Sequence, residues 1–216
     1  MTNKVKYPIT DQEMKILLDK YPFLNYRALY DDSFCYETEI ERIEHNYYKA
    51  WDGSGWEGLW KKYLSKLFAE YDTWKPEDQK TFRFCDTKEK FGELRIYTSF
   101  SSDKNLESIA ESLSGYTCEF CGKEPRENGK RVIWTTNGWI TNLCEDCARE
   151  YLKKQYKLGG SKLEDTLQKM KNIQEKPFGY IRYAKDKTIT VTYKETGDGW
   201  LEVDTVKEEP REETHE

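Results

Sequence analysis

The sequence predicts an α+β fold, with antiparallel hairpins packed against helices, on the basis of three observations. Two Cys-x-x-Cys pairs lie in the middle of the chain, a long amphipathic helix pattern precedes them, and short alternating apolar runs surround both. Apolar periods near 3.6 residues indicate helices, and a period of two indicates strands. Because 216 residues allow one domain or two, the division of the chain must be inferred from such motifs.

The four paired cysteines have the spacing of a metal site. Cys118 and Cys121 form the first pair, and Cys144 and Cys147 form the second. Two such pairs can bring four thiolates to one tetrahedral zinc ion. Since four protein ligands leave no coordination position open, we expect a structural Zn²⁺ rather than a catalytic one. The alternative interpretations are four ordinary buried cysteines, or a redox disulfide within each pair, but a thioredoxin-like βαβ pattern is missing.

The residues around the cysteines predict the element order of a treble-clef zinc finger over 115–160. Gly122 directly follows the first pair, where a knuckle turn favours a residue that tolerates positive φ. A hairpin and then a helix should follow. The expected strand, turn, strand and helix are 130–135, Asn137-Gly138, 138–143 and 148–156.

Three further regions are expected outside the finger. They are an N-terminal α+β region over 1–114, a helix with a small antiparallel meander over 161–206, and a disordered acidic tail over 207–216. The apolar residues from Trp56 to Tyr71 recur every three or four positions, which indicates a helix with one buried face. We expect helix caps at Thr10, Asp103 and Ser161, a further helix at 37–48, and a helix after Ser161 that continues to Ile173. We also expect a hairpin of strands 81–86 and 93–99 that bends at 88–92. The meander strands are expected at 178–183, 188–193 and 200–206.

Composition and charge narrow the functional classes. The formal net charge is −5, which argues against broad nonspecific binding to duplex DNA. The sequence has neither an 18-residue apolar run nor a signal-peptide pattern, so we expect no membrane partner and a cytoplasmic location. Reduced metal-binding thiols fit that compartment. Cys35 and Cys85 are unpaired, and single cysteines are typically small buried apolar residues.

The scarcity of histidine argues against an enzyme. The chain contains only His45 and His215, so the expected finger lacks the base and ligands of an HNH-type nuclease. The sequence also lacks a P-loop, a dinucleotide glycine pattern, a serine nucleophile elbow, an HExxH motif and a deaminase zinc signature. We therefore expect binding rather than catalysis.

A basic bend is the candidate ligand-binding feature. Lys88, Lys90 and Arg95 lie on both sides of Gly92, and we expect their side chains to converge on an anion there. Tryptophans can supply stacking platforms for a base, and finger arginines can add charge. The alternative is a charged turn that Glu89 and Glu93 neutralise. The complete candidate set is Lys88, Lys90, Arg95, Trp56, Trp139, Arg131 and Arg149.

These motifs together resemble a family of small proteins of bacteriophages and bacteria. The shared pattern is Gly-Ser-Gly-Trp56, Lys-Glu-Lys-Phe-Gly-Glu-Leu-Arg95, Cys-x-x-Cys-Gly122 and Gly-Trp-Ile-x-x-Leu-Cys144. It covers roughly residues 50–150, and this chain keeps Cys147 where some members have histidine. The resemblance implies a phage origin and a role within or against host machinery, such as inhibition of a host defence, but it names no substrate.

Two functions are therefore expected. The first is a non-catalytic, zinc-containing protein, active in the host cytoplasm if phage-encoded, that engages a host protein or a protein–nucleic-acid assembly. An acidic, aromatic-rich chain fits a protein partner. The alternative is direct binding of nucleic acid or a nucleotide through the finger and the basic bend, and this alternative predicts steep salt dependence.

Overall fold

The computed structural model describes residues 9–25, 38–175, 178–184 and 186–210. Cys35 and His215 lie outside these ranges. The helices are α1 (Asp11–Lys20), α2 (Glu39–Glu44), α3 (Glu57–Tyr71), α4 (Pro76–Thr81), α5 (Leu106–Ser114), α6 (Glu145–Tyr156) and α7 (Gly160–Met170). The strands are β1 (Phe84–Lys90), β2 (Glu93–Thr98), β3 (Arg126–Glu127), β4 (Lys130–Thr135), β5 (Asn142–Leu143), β6 (Lys171–Ile173), β7 (Gly179–Tyr183), β8 (Lys187–Glu195) and β9 (Leu201–Pro210).

Within the described residues the strands form three antiparallel sheets, which confirms the α+β prediction. Strands β1 and β2 form a hairpin, and β7, β8 and β9 form the predicted meander. In the remaining sheet β4 pairs with β3, β5 and β6. None of the helices in the described ranges combines the length and apolar character that a bilayer crossing requires.

The largest core lies around α3. Its buried face includes Trp60, Tyr63 and Leu67, as the helical period predicts. Phe84 of β1 packs against this face, with its ring centroid 5.5 Å from that of Trp60. Each such side chain contributes about 1.5–3 kcal/mol when it is fully buried, so this face of α3 organises the N-terminal half.

A second core lies beneath the cysteine pairs. Val132 and Leu143 from the strands pack there with Leu152 of α6. Leu167 of α7 belongs to the same cluster, and β6 continues directly from α7 to pair with β4. Helix α7 and strand β6 therefore pack with the segment that carries the cysteine pairs, while the predicted boundary at residue 160 stays a prediction.

The capping predictions have mixed outcomes. The Thr10 capping box is confirmed, because the Thr10 side chain accepts from the Glu13 backbone and the Glu13 carboxylate accepts from the Thr10 backbone. Asp103 is not the cap of α5; Ser102 Oγ accepts from the Leu106 backbone N–H at 2.7 Å instead.

The later capping prediction is also wrong. Helix α7 begins at Gly160, one residue before Ser161, and no side chain caps it. The expected continuation of this helix to Ile173 is wrong as well, because residues 171–173 form β6. The helix expected over 37–48 is shorter in the described part from residue 38, where α2 is followed by a 3₁₀ turn over Tyr47–Lys49; residue 37 lies outside the described ranges.

Several strand boundaries differ from the predictions. The first hairpin strand begins at Phe84 rather than at residue 81, because Pro76 starts the short helix α4 and that helix ends only at Thr81. The bend narrows to Phe91 and Gly92, whose φ values of 59° and 73° suit a two-residue hairpin turn. The expected strand 138–143 is reduced to Asn142–Leu143.

The C-terminal prediction is also corrected in part. The tail was expected to be disordered from residue 207, but 207–210 belong to β9, where Lys207 pairs with Thr190. Residues 211–216 lie outside the described part of the chain.

Candidate metal centre

The first cysteine pair occupies a tight knuckle. The Gly122 N–H donates to the Cys118 carbonyl at 2.9 Å, and the Cys118 N–H donates to the Lys123 carbonyl at 2.9 Å. Gly122 has a φ of 73°, as the knuckle prediction requires. Cys144 is the N-cap residue of α6, and Cys147 lies in the first turn of that helix.

The four sulfurs meet at one point. All four Sγ atoms lie within 4.8 Å of one another, and those of Cys121 and Cys144 are 3.6 Å apart. Four thiolates bound at about 2.3 Å in a tetrahedron have edges of about 3.8 Å, whereas a disulfide is about 2.05 Å long. The described cysteines are free thiols. This cluster can therefore hold a metal ion, and the predicted meeting of the two pairs is confirmed.

Electrostatics explains why the cluster needs a cation. Burial raises the pKa of Cys144, and burial together with the neighbouring thiols raises that of Cys147. Burial also acts on Cys121, but the Lys123 backbone N–H and the neighbouring thiols outweigh it and lower its pKa. Four adjacent thiols cannot all ionise at low cost unless a positive ion neutralises them.

The Gly-Ser-Gly-Trp motif holds the knuckle against α3. The Gly55 N–H donates to the Glu119 carbonyl at 2.8 Å, and the Trp56 indole N–H donates to the Thr117 carbonyl at 3.3 Å. A Cβ atom on Gly55 would lie 2.1 Å from the Cys118 carbonyl oxygen. Close approach of the two backbones therefore requires glycine at residue 55.

The Phe-Gly turn of the β1–β2 hairpin contacts β5, next to the second cysteine pair. The Asn142 side-chain amide donates to the Gly92 carbonyl at 2.7 Å, and the Asn142 backbone N–H donates to the Glu119 carboxylate at 2.6 Å. Burial and the nearby Glu89 carboxylate raise the pKa of Glu119 to about 7. Asn142 thus connects the hairpin turn to the knuckle.

Two candidate ligand-binding residues are structural, so these predictions are corrected. Trp56 is 2% exposed, and its ring packs edge-on against Trp51 at a centroid distance of 5.2 Å. Arg131 is also 2% exposed, and it donates to the Glu124 carboxylate at 2.5 Å and to the Gly199 carbonyl at 2.8 Å. Neither side chain is accessible to a stacking base or a phosphate.

The other candidate cations are mostly neutralised. Arg149 joins α6 to α7 through ion pairs with Glu145 and Glu164, at 2.7 Å and 2.6 Å. Arg95 pairs with Glu93 at 2.6 Å, in agreement with the charged-turn alternative.

The two lysines of the basic bend, Lys88 and Lys90, differ in whether they form an ion pair. Lys88 lies opposite Arg95 in the hairpin register and pairs with Asp86. Lys90 forms no ion pair within the described ranges, and its ammonium lies 5.2 Å from the Phe91 ring centroid. The three predicted cations therefore do not form an unpaired anion site.

An exposed groove lies where the hairpin turn meets the β4–β5 loop. Phe91 is 63% exposed and Trp139 is 80% exposed. We call this feature the aromatic groove. It has a volume of about 280 Å³ and is lined by Glu89, Lys90, Phe91, Gly138, Trp139 and Ile140.

Sequence reasoning selected Trp139 and Lys90 but missed Phe91 and Ile140. The signal that could have indicated Phe91 was a phenylalanine directly before glycine in a hairpin bend, since a two-residue turn places both residues at positive φ.

Cys85 is exposed, so the expectation that it is buried is wrong. The β1–β2 register shifts between Phe84 and Asp86, which leaves Cys85 without a partner in β2.

Comparison of this chain with protein-family models, with curated proteins and with solved structures finds no match in any of the three.

Proposed function

We propose that this chain is a non-catalytic, zinc-containing binding protein that holds the aromatic groove for a protein partner. The observation that supports this proposal most is the conformation of Phe91. An exposed phenylalanine with a φ of 59° is unfavourable for the fold by about 1–2 kcal/mol, and asparagine or glycine would suit the turn better. Strained residues of this kind occur at functional sites, and a contact outside the chain would account for this one.

The metal in this proposal is zinc. Four thiolates in a compact cluster suit zinc, and a closed site of this kind is structural. The order of knuckle, hairpin and helix, with Cys144 at the start of α6, favours a treble clef. In this proposal the ion fixes the backbone of the knuckle, and Asn142 transmits that rigidity to the Gly92 turn.

The composition of the groove favours a protein over a nucleic acid. Enrichment in exposed aromatic residues is typical of protein interfaces. Binding of a single strand needs several cations along the backbone, but the groove offers Lys90 alone. The Glu89 carboxylate accepts from the Gly92 N–H at 2.8 Å and also makes the groove less attractive to phosphate.

The partner segment therefore has a defined chemistry. An apolar side chain would lie between Phe91 and Trp139, and an adjacent acidic side chain would face Lys90. The resemblance to phage proteins makes a host protein the first class to test, and both the phage origin and the host partner stay predictions.

A pull-down with matched variants tests the groove. Phe91→Asn and Trp139→Ala remove the exposed rings, while Ile181→Ala removes an exposed apolar side chain of β7 as a control. Wild-type protein and the control should retain the same partner after nuclease treatment, and both groove variants should bind it at least about tenfold more weakly, a loss of about 1.4 kcal/mol.

Two results would count against the proposal. Equal retention by the groove variants would show that the rings make no contact. Retention that nuclease abolishes, with a steep decrease between about 50 and 200 mM salt, would favour nucleic-acid binding instead.

A further inference from the structure

A pocket that shares no lining residue with the aromatic groove lies between α6, α7 and the β4–β5 loop. Tyr151 and Tyr156 line it from α6, and Met170 lines it from α7. We call this feature the tyrosine pocket. Its volume is about 250 Å³, just below the range of roughly 300–1,000 Å³ that sites for drug-sized ligands occupy. The pocket therefore suits one flat ring system rather than a larger molecule.

Two aromatic rings and an amide give the tyrosine pocket its chemistry. The rings of Tyr151 and Tyr156 meet edge to face, with centroids 6.0 Å apart, and Tyr156 is 57% exposed. The Thr136 hydroxyl is already used, because it donates to the Trp139 carbonyl at 2.5 Å. The Asn137 side chain is exposed and has no hydrogen bond within the described ranges. An aromatic ring can stack on a nucleobase, and an amide can both donate to and accept from the edge of a base.

Four exposed lysines flank the tyrosine pocket. Each lies on α6 or α7, or directly after α6, within one helical turn of a lining residue. Side chains three or four positions apart are neighbours on a helix surface. None of the four lysines forms an ion pair with a residue that the structure describes. They are Lys154, Lys157, Lys162 and Lys169.

The nearby carboxylates do not cancel this positive charge. Residues 149–171 hold seven Lys and Arg against three Asp and Glu. Glu145 and Glu127 pair with bases of this segment from outside it, so that five carboxylates oppose seven bases. The β4–β5 loop, which forms the third side of the pocket, has no charged residue. An excess of two positive charges therefore remains in a chain whose net charge is −5, and this excess favours an anionic ligand.

We propose that the tyrosine pocket binds single-stranded nucleic acid, with one base against Tyr156 and the adjoining phosphates facing the four lysines. A single strand carries both a flat ring for the pocket and a row of anions for the lysines. A duplex is less suitable because its bases are stacked inside the helix. The aromatic groove offers a single lysine, whereas four flank the tyrosine pocket. This site does not depend on the aromatic groove or on a protein partner.

The probe for the test is a fluorescein-labelled oligothymidylate of about 15 nucleotides, close to the upper site size of single-strand-binding modules. The full metal-loaded chain is titrated into it, and fluorescence anisotropy is measured. An abasic strand of the same length keeps the phosphates without the bases, and a hairpin duplex keeps the bases inside a helix. The oligothymidylate should bind at least tenfold more tightly than either. Equal binding of the abasic strand or the duplex, equally tight binding of an oligoglutamate peptide, or no saturable binding would overturn the proposal.

The salt dependence tests the role of the lysines. Neutralisation of three or four phosphates of a single strand gives a slope of about −2 to −3 in log K against log salt, so affinity should fall about 20- to 50-fold between about 50 and 200 mM salt. Lys162→Ala should make this slope shallower by about 0.7. Lys80→Ala, which removes an exposed lysine of α4, should leave it unchanged. A wild-type slope shallower than about −1, or equal slopes in the two variants, would refute the assignment.

A matched pair of tyrosine variants tests the ring. Tyr156→Ala should weaken oligothymidylate binding at least about fivefold, because it removes the stacking surface, and should leave the salt slope unchanged. Its thermal unfolding should match wild type, since the ring is mostly exposed. Tyr97→Ala removes an exposed ring of β2 and should bind as wild type does. Equal affinities of the two tyrosine variants would show that the base does not contact Tyr156.

Discussion

Replacement of Gly55 by alanine tests how the chain holds its cysteine knuckle. The added Cβ would lie 2.1 Å from the Cys118 carbonyl oxygen and 2.6 Å from that of Glu119. Both are backbone atoms, which cannot rotate away as a side chain can. Since ordinary contact requires about 3.5 Å and the shortest distance is 2.1 Å, the two segments must separate by about 1.4 Å.

That separation has a calculable cost. It breaks the 2.8 Å hydrogen bond from the Gly55 N–H to Glu119, and it strains the Trp56 indole bond to Thr117. A buried donor left without an acceptor costs about 1–3 kcal/mol. With two donors affected, we expect Gly55→Ala to lower the free energy of unfolding by about 2–5 kcal/mol.

Gly58 provides a control of opposite sign. It lies inside α3, and a Cβ atom there would have nothing within 4 Å. Gly58→Ala should therefore stabilise the protein by up to about 1 kcal/mol through helix propensity. Urea unfolding of the metal-loaded variants, followed by tryptophan fluorescence, measures both values. If Gly55→Ala proves as stable as Gly58→Ala, the motif does not hold the knuckle.

Three further changes probe other parts of the structure. Cys121→Ser removes one of four thiolates and should release the metal, which elemental analysis after dialysis measures; a fully loaded variant would contradict a shared site. Trp56→Ala should lower the free energy of unfolding in urea by about 3–5 kcal/mol, because the ring is buried, and a loss below about 1 kcal/mol would contradict its place in the core. A hydrogen bond from Thr196, together with the nearby lysines, holds the pKa of Asp198 below its usual range. The ionised Asp198 carboxylate therefore contributes to stability above about pH 4, and this contribution is lost as the pH falls further. Asp198→Asn should thus reduce the difference between the urea midpoints at about pH 6 and pH 3, and an unchanged difference would argue against this linkage.

Local patterns predicted the parts of the fold that depend on nearby residues. The cysteine spacing predicts that all four sulfurs meet, and the positive φ of Gly122 follows from its position after the first pair. The apolar period after Trp56 gives the buried face of α3, since a helical face is defined by residues within a few turns of one another.

The Asn-Gly dipeptides did not by themselves show which of the two forms the hairpin turn. The sequence contains Asn-Gly at 128–129 and at 137–138, and the pattern of apolar residues predicts the tight hairpin turn at the second. The two-residue turn is at 128–129, where φ is 49° and 81°, and it joins β3 to β4. Around Gly138 the Thr136 side chain accepts from the Thr141 N–H at 2.9 Å, which stabilises a longer loop.

Side-chain roles that depend on distant segments could not be read from the sequence. Arg131 looked like a free basic residue of the finger, but its partners Glu195 and Gly199 belong to the meander. Trp56 likewise bonds to Thr117, 61 residues away. Only the fold shows that these polar groups already have partners, and only the fold brings Phe91 to the loop of Trp139.

The way other segments surround the four-cysteine cluster limits the use of residues 115–160 as a portable unit. A peptide cut at residues 115 and 160 would lack the glycine turn that covers the knuckle and the helix whose Leu167 covers Leu152. Such a peptide would expose apolar surface and unpaired amides even with metal bound. A graft must therefore keep more than 53–173, because the core around α3 also includes Phe23 and Tyr47, and Arg131 donates to Gly199.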